Sequence, residues 1–228
     1  MRLEDLNWMD VEKYLQHEDR LLMVIGATEQ HGYLSLLTDI KIPLALADSA
    51  SQAIGVLVAP PLNFGVSTYF MAYPGTLSFR VGTLIAAVED MVRSAARHGF
   101  RRILILNGHG GNSPVRGHLH EVNNDLPDLK INWYDLWLSH SVEAVAIRHN
   151  IKPAHANWLE AFPFTIVGEM PQEIKNPPNV PSAIMDAKTA REVYGDGSFG
   201  GPYRAGDDIM LEIFAAALED VLQLLRFD

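Results

Sequence analysis

Arg102–Asn112 reads R-I-L-I-L-N-G-H-G-G-N. Four consecutive branched aliphatics, Ile103–Leu106, leave no polar side for solvent, which is the signature of a strand buried on both faces of a parallel sheet. The glycines that follow end the strand and leave His109 standing at its carboxyl end. Working outward, Arg20–Gly26 (RLLMVIG) and Gly55–Ala59 (GVLVA) read as buried strands, and Lys130–Tyr134 (KINWY) and Phe164–Val167 (FTIV) as weaker ones. Between them, Ile42–Ala53 has helical spacing. Val81–His98 predicts a helix with Leu84, Val88, Met91, Val92 and Ala95 inward and Gly99 as its stop. Ser113–Asn124 and Asp207–Leu225 complete the helical set. Strands alternating with helices predict an α/β fold with a mostly parallel sheet covered on both faces. Pro171–Pro181 reads as a long surface loop too near the end to leave a second core, so residues 1–228 are expected to form a single domain.

Composition narrows the function. With 28 acidic against 18 basic side chains the net charge is −10, which repels phosphate backbones and anionic lipid, so neither nucleic acid nor membrane is expected as a partner. The charged first twenty residues lack the apolar stretch of a signal peptide, no segment is long and apolar enough to span a bilayer, and the expected address is the cytoplasm. The chain has no cysteine. Disulfides, thiol nucleophiles and thiolate-metal sites are thereby excluded, and any metal must be held by His, Asp and Glu.

Functional loops of open parallel sheets gather at the carboxyl ends of strands. Two such ends carry unusual polar residues: Gly26–Gly32 (GATEQHG) with Asp39 shortly after, and Gly108–Asn112 (GHGGN). In an extended segment residues two apart share a side, so Glu29 and His31 can face one point. Asp39 is close enough in sequence to loop back, and His109 emerges from a neighbouring strand end. Oxygen and nitrogen donors without sulfur suit Zn, Mn or Fe(II), and a carboxylate can bridge two ions. Pro153–Glu160 (PAHANWLE) adds His155 and Glu160, with a helix expected from about Ala154.

The strings GATEQHG with Thr38-Asp39, NGHGGN (Asn107–Asn112) and HAxxxE (His155–Glu160) resemble the creatininase (creatinine amidohydrolase) family. Tyr73-Pro74-Gly75-Thr76 resembles its aromatic-Pro-Gly-Thr turn and Tyr194–Gly197 its late Gly-Asp element; the likeness runs from about residue 20 to 206. It implies a three-layer α/β/α sandwich, often a homohexamer, with two divalent cations held by Glu29, His31, Asp39, His109 and Glu160, Asp39 bridging. It also places His155 beside a small-molecule substrate, with hydrolysis of a non-peptide amide: a cyclic amide such as creatinine, a formamide, or in one branch a modified peptide. The segment His31–Asp39 (HGYLSLLTD) is one residue shorter than the common form and lacks its second His and its Pro. Gly110 stands where creatininase itself leads to a further metal-binding Glu, Asn157 replaces a glycine, and Ala161-Phe162 replaces Thr-Ser. The metal set is kept while the surroundings of the substrate change.

On this reading His155 is the candidate acid for the departing nitrogen. Gly110 and Gly111 offer backbone N–H groups to an anion, Asn112 reads as a helix N-cap, and Tyr73 and Trp158 are assigned to substrate contact. Trp133, Trp137, Tyr69 and Phe70 are further candidates for a wall against a flat heterocycle. The rival reading is a non-catalytic, metal-stabilised oligomeric binding protein. The C-terminal helix and the apolar 56–80 region carry enough hydrophobic surface to predict a homo-oligomer in either case.

Overall fold

Odd and even residues of the central strands serve two different cores. In the computed structural model, which describes residues 1–228, β1 (Arg20–Ile25), β2 (Leu57–Val58), β3 (Arg102–Asn107) and β4 (Lys130–Asp135) form one parallel sheet in the order β2-β1-β3-β4. Leu22, Val24, Leu104 and Leu106 point into one core; Leu21, Met23, Ile25, Ile103 and Ile105 point into the other. The first core is covered by α2 (Thr38–Ile54), α5 (His140–Arg148) and α7 (Asp207–Leu224), the second by α1 (Trp8–Leu15), α3 (Val81–His98) and α4 (Ser113–Asp125). Each fully buried aliphatic side chain contributes about 1.5–3 kcal/mol, so the doubly buried strands dominate folding. This is the expected α/β/α sandwich.

The register decides where function can sit. β1 and β3 pair residue for residue from Arg20↔Arg102 to Ile25↔Asn107, and Asn107 pairs with Asp135. The three carboxyl ends are therefore level, and Gly26 and Gly108 leave the sheet side by side. Over this edge lies the excursion between α5 and α7, which includes α6 (Ala187–Tyr194) and the antiparallel pair β5 (Ile174–Lys175) and β6 (Gly201–Pro202).

Several expectations need correction. β2 is two residues long: Ala59 still donates to the Leu22 carbonyl, but Pro60 and Pro61 have no N–H to continue the ladder. Phe164–Val167 forms no strand: the chain turns at Phe164 and Thr165, whose Oγ1 donates to the carbonyls of Glu160 and Phe162, and Ile166 keeps only an isolated bridge to Leu34. No α-helix follows Ala154; Pro153–Asn157 turns, with Ala156 at φ 52, and only a 3₁₀ turn forms at Trp158–Glu160. α2 begins four residues earlier than expected, at Thr38. The short α1, α5 and α6 were not anticipated, although Asn7, Ser139 and Asp186 cap them with side-chain acceptors. No helix is long and apolar enough to cross a membrane.

Candidate metal centre

The start of α2 is built against the two strand ends. Pro43 lies inside α2 and has no N–H to offer the carbonyl of Asp39 one turn back, so that carbonyl is turned to other neighbours. A methyl group at Gly108 would stand 1.8 Å from it, and one at Gly26 would stand 2.3 Å from it. Only glycine at these strand ends lets the α2 backbone come this close, and the approach carries the Asp39 side chain between the two loops. Its position in the first turn of α2 also favours the carboxylate electrostatically.

Around Asp39 the five expected donors converge. Asp39 Oδ1 lies 2.9 Å from His31 Nε2, and Oδ2 lies 3.0 Å from His109 Nδ1. Glu29 Oε1 is 3.4 Å from His109 Nδ1, and Glu160 Oε1 is 3.8 Å from His31 Nε2. Three donor triads result, Glu29–Asp39–His109, His31–Asp39–Glu160 and Glu29–His31–His155, and Asp39 joins the first two. Glu29, His31, Asp39 and His109 are buried, and Glu160 is nearly so.

The second nitrogens of the two imidazoles are committed to backbone. His31 Nδ1 donates to the Glu29 carbonyl at 3.2 Å, and His109 Nε2 donates to the Val66 carbonyl at 2.9 Å. The inward nitrogens are therefore the ones left to meet a cation once they lose their protons, the arrangement in which His binds a metal. Glu29 Oε2, His31 Nε2 and Asp39 Oδ2 are buried without a hydrogen-bond partner despite their short mutual distances. Leaving such groups unpaired costs about 1–3 kcal/mol each, and donors aimed at a common point rather than at one another fit a cation between them. The residues present fit a divalent metal centre.

Charge tells the same story. Burial opposes charge on His31, but Asp39 and Glu160 together hold its imidazole up at about 10. His109 is likewise driven well above the ordinary imidazole range by Glu29 and Asp39, against its burial. Asp39, penalised by burial, is held far below the usual carboxylate range by His31 and His109. Burial pushes the Glu160 carboxyl up to about 7, with His31 pulling the other way. Without metal, both inward nitrogens therefore carry protons at neutral pH, and a cation must displace them. Loading chelator-treated protein with Zn²⁺ at about pH 7.5 is expected to release protons from both His31 and His109. Calorimetric titration in two buffers of different ionisation enthalpy measures this; uptake without proton release would contradict the assignment.

His155 stands above the cluster, its Nδ1 4.0 Å from Glu29 Oε1 and its ring 4.5 Å from that of His31. It is stacked on Phe70 at 4.9 Å and packed against Phe199. Burial and the charge of His31 hold its imidazole well below the ordinary range, so it is neutral. A cavity of about 480 Å³ opens from the donors, lined also by Gly110, Gly111, Tyr69, Phe70, Trp137 and Phe199. Tyr69, Phe70 and Trp137 thus stand where the sequence suggested a wall. Trp158 does not: it is fully buried in the α2–α7 core, its Nε1 donating to the Lys152 carbonyl. Tyr73 also misses the cavity, packing behind Phe70 with Arg191 over its ring. Trp133 packs into the second core with Nε1 on Asp135. Asn112 occupies the N-cap position of α4 as expected, but its side chain makes no capping bond; its Nδ2 donates to the Gly26 carbonyl and to Asn107 Oδ1, and its Oδ1 accepts the Val66 N–H, tying the loops together. Phe199 and Gln30 went unassigned in the sequence, the first in a glycine-rich turn far away, the second between two ligands.

The fold and this cluster define a class: α/β/α sandwiches with a buried, sulfur-free donor set at the carboxyl ends of parallel strands. The family model described as creatininase, creatinine amidohydrolase, matches residues 4–225, and the chain belongs to the creatininase family. It is 36% identical over 116 residues to creatinine amidohydrolase of Pseudomonas putida, covering 48% of this chain and 45% of that protein. It is 37% identical over 99 residues to the mycofactocin precursor peptide peptidase of Mycolicibacterium smegmatis, covering 40% of each. These matched stretches span less than half of either relative's length. Among solved structures, "Creatininase Mn" superposes with a TM-score of 0.85 at 22% identity over 99% of this chain and 97% of that one. The crystal structure of creatinine amidohydrolase gives 0.82, also at 22% identity, over 98% and 96%.

Proposed function

We propose that this chain is a cytoplasmic hydrolase of a non-peptide C–N bond, acting on a small amide with two divalent cations, Zn, Mn or Fe, held by Glu29, His31, Asp39, His109 and Glu160. The observation that carries the reading is the double engagement of Asp39, whose two oxygens each face a different histidine. Bound there, divalent ions supply Lewis acidity and bring the pKa of a water down toward about 7. The reaction adds OH to the carbonyl carbon and H to the nitrogen as the C–N bond breaks. For this chain's own residues we assign Glu29, His31, Asp39, His109 and Glu160 to charge compensation, His155 to a hydrogen bond with the reacting amide, and the backbone of Gly110 and Gly111 to its carbonyl side.

The cavity supports an uncharged substrate. No Lys or Arg lines it, so apart from the cations themselves nothing in the cavity offers a counter-charge to a carboxylate or phosphate on the substrate. Tyr69, Phe70, Phe199 and Trp137 suit a flat or apolar substituent, and about 480 Å³ is within the range of small-ligand sites. A cyclic amide or formamide fits this description. Exposed Phe64, Met71 and Leu77, in the 56–80 region, and Leu211 on α7 keep homo-oligomer formation part of the proposal, a hexamer by family resemblance.

The test is metal analysis of protein purified without chelator, then a screen of uncharged cyclic amides and formamides with His155→Ala alongside. Metal-dependent turnover is expected, with His155→Ala lowering kcat by about 10²-fold or more while metal content is unchanged. Full metal occupancy with no hydrolysis of any amide would favour the metal-stabilised binding protein instead.

A further inference from the structure

Gln30 lies between two metal-site residues, is buried, and directs its side chain away from the donor cluster. Its amide oxygen accepts the N–H of Gly32 at 3.1 Å, and its amide nitrogen donates to the Gly197 carbonyl at 3.1 Å. A backbone N–H cannot accept and a backbone carbonyl cannot donate, so these two contacts settle which end of the amide is nitrogen. The other amide hydrogen is directed at Nε2 of His155, 3.0 Å away. That ring nitrogen must present a lone pair, which leaves the ring proton on Nδ1, the nitrogen that faces the donor cluster.

We propose that Gln30 is a positioning residue that fixes His155 as its neutral Nδ1–H tautomer, so that His155 presents an N–H and not a lone pair to the substrate. Its use in catalysis rests on the hydrolase reading above; the tautomer is a property of the protein in any case. Negative charge grows on the amide oxygen during attack, and a donor oriented beforehand gains strength as it does so, without reorganisation. An Nε2–H tautomer would instead point its lone pair at that charge.

The surrounding chain holds this geometry. Phe70 and Phe199 fix the plane of the imidazole. Gly197, at φ 97, approaches so closely that a methyl group there would meet Gln30 Oε1 at 1.6 Å. The turn that carries Gly197 and Phe199 is clamped by the Lys175 ammonium, which donates to the carbonyls of Tyr194 and Ser198 and to Asp196, and Tyr203 OH closes on the same carboxylate. The amide therefore cannot rotate without breaking backbone bonds on two separate loops.

Long-range ¹H–¹⁵N correlation of histidine-labelled protein tests this, with the His155 signals assigned by their loss in His155→Gln. The wild type, chelator-treated and Zn²⁺-loaded, is expected to show a protonated Nδ1 and an unprotonated Nε2. Gln30→Glu keeps the shape but exchanges donor for acceptor, and is expected to move the proton to Nε2 and to lower kcat by about 10²-fold with Zn²⁺ content unchanged. Gln30→Met removes the donor, and a mixture of tautomers is expected. A wild-type His155 protonated at Nε2, or the same tautomer in all three proteins, would overturn the proposal. The expected pattern in a protein that hydrolyses no amide would support the positioning role and remove the hydrolase reading alone.

Discussion

Asp39→Asn is expected to strip the centre of stoichiometric metal and to lower kcat/KM by about 10³-fold or more, a loss of about 4 kcal/mol at 1.36 kcal/mol per decade. The geometry gives the reason. One carboxylate oxygen faces His31 and the other faces His109, so Asp39 joins the Glu29–Asp39–His109 and His31–Asp39–Glu160 triads. An asparagine of the same shape keeps one acceptor and puts an NH₂ group in place of the other. Whichever way the amide turns, its hydrogens point at the inward nitrogen of one imidazole, where they occupy the space a cation needs. The lost negative charge also leaves two buried histidines beside fewer carboxylates, which weakens cation binding at both triads. Metal content per chain by elemental analysis and steady-state kinetics check both halves. Retention of full stoichiometry with activity within about tenfold of wild type would show that Asp39 is not shared between ions.

Much of this was legible in local sequence and the rest depended on distant contacts. The double-sided apolar runs of β1 and β3 and the periodicity of α3 are legible to within a residue, because each is decided by burial pattern and by a terminating glycine. The five donors were found because they cluster at strand ends, and the register of β1 against β3 brings those ends level. The start of α2 lies four residues before the expected Ile42 because Thr38 bonds back to Ser35 and Pro43 is accommodated inside the helix, where its missing hydrogen bond falls on a carbonyl that packs against two glycines. Trp158 looked like a pocket wall from its neighbours His155 and Glu160, yet a 3₁₀ turn and a hydrogen bond to Lys152 rotate it into the core. Gln30 carried no signal of its own, since its role exists only through Gly197, 167 residues away. Positions decided by periodicity or by chain ends are readable; positions decided by which long-range partner a side chain finds are not.

A pair of glycines two residues apart reports how tightly α2 is wedged against the strand ends. Gly108→Ala is expected to destabilise the fold by about 3 kcal/mol or more, because its methyl group would stand 1.8 Å from the Asp39 carbonyl oxygen and 2.7 Å from the carbonyl carbon. Both are backbone atoms, so no rotamer change relieves the clash. Gly108 N donates to the Ile25 carbonyl within the sheet, and the first turn of α2 is pinned by Thr38 bonding back to Ser35. One side or the other must move. At about 2–4 °C per kcal/mol for a chain of this size, Tm should fall by roughly 6–12 °C. Displacing α2 also draws Asp39 away from His109, so metal content should fall with it. Gly110→Ala is the control: a methyl group there meets nothing within 4 Å, and stability is expected to change by no more than about 0.5 kcal/mol. Thermal melts of chelator-treated proteins separate the two without reference to activity. If Gly108→Ala melts with Gly110→Ala, the start of α2 is not wedged between the strand ends, and the means by which a helical carboxylate reaches two loop histidines must lie elsewhere.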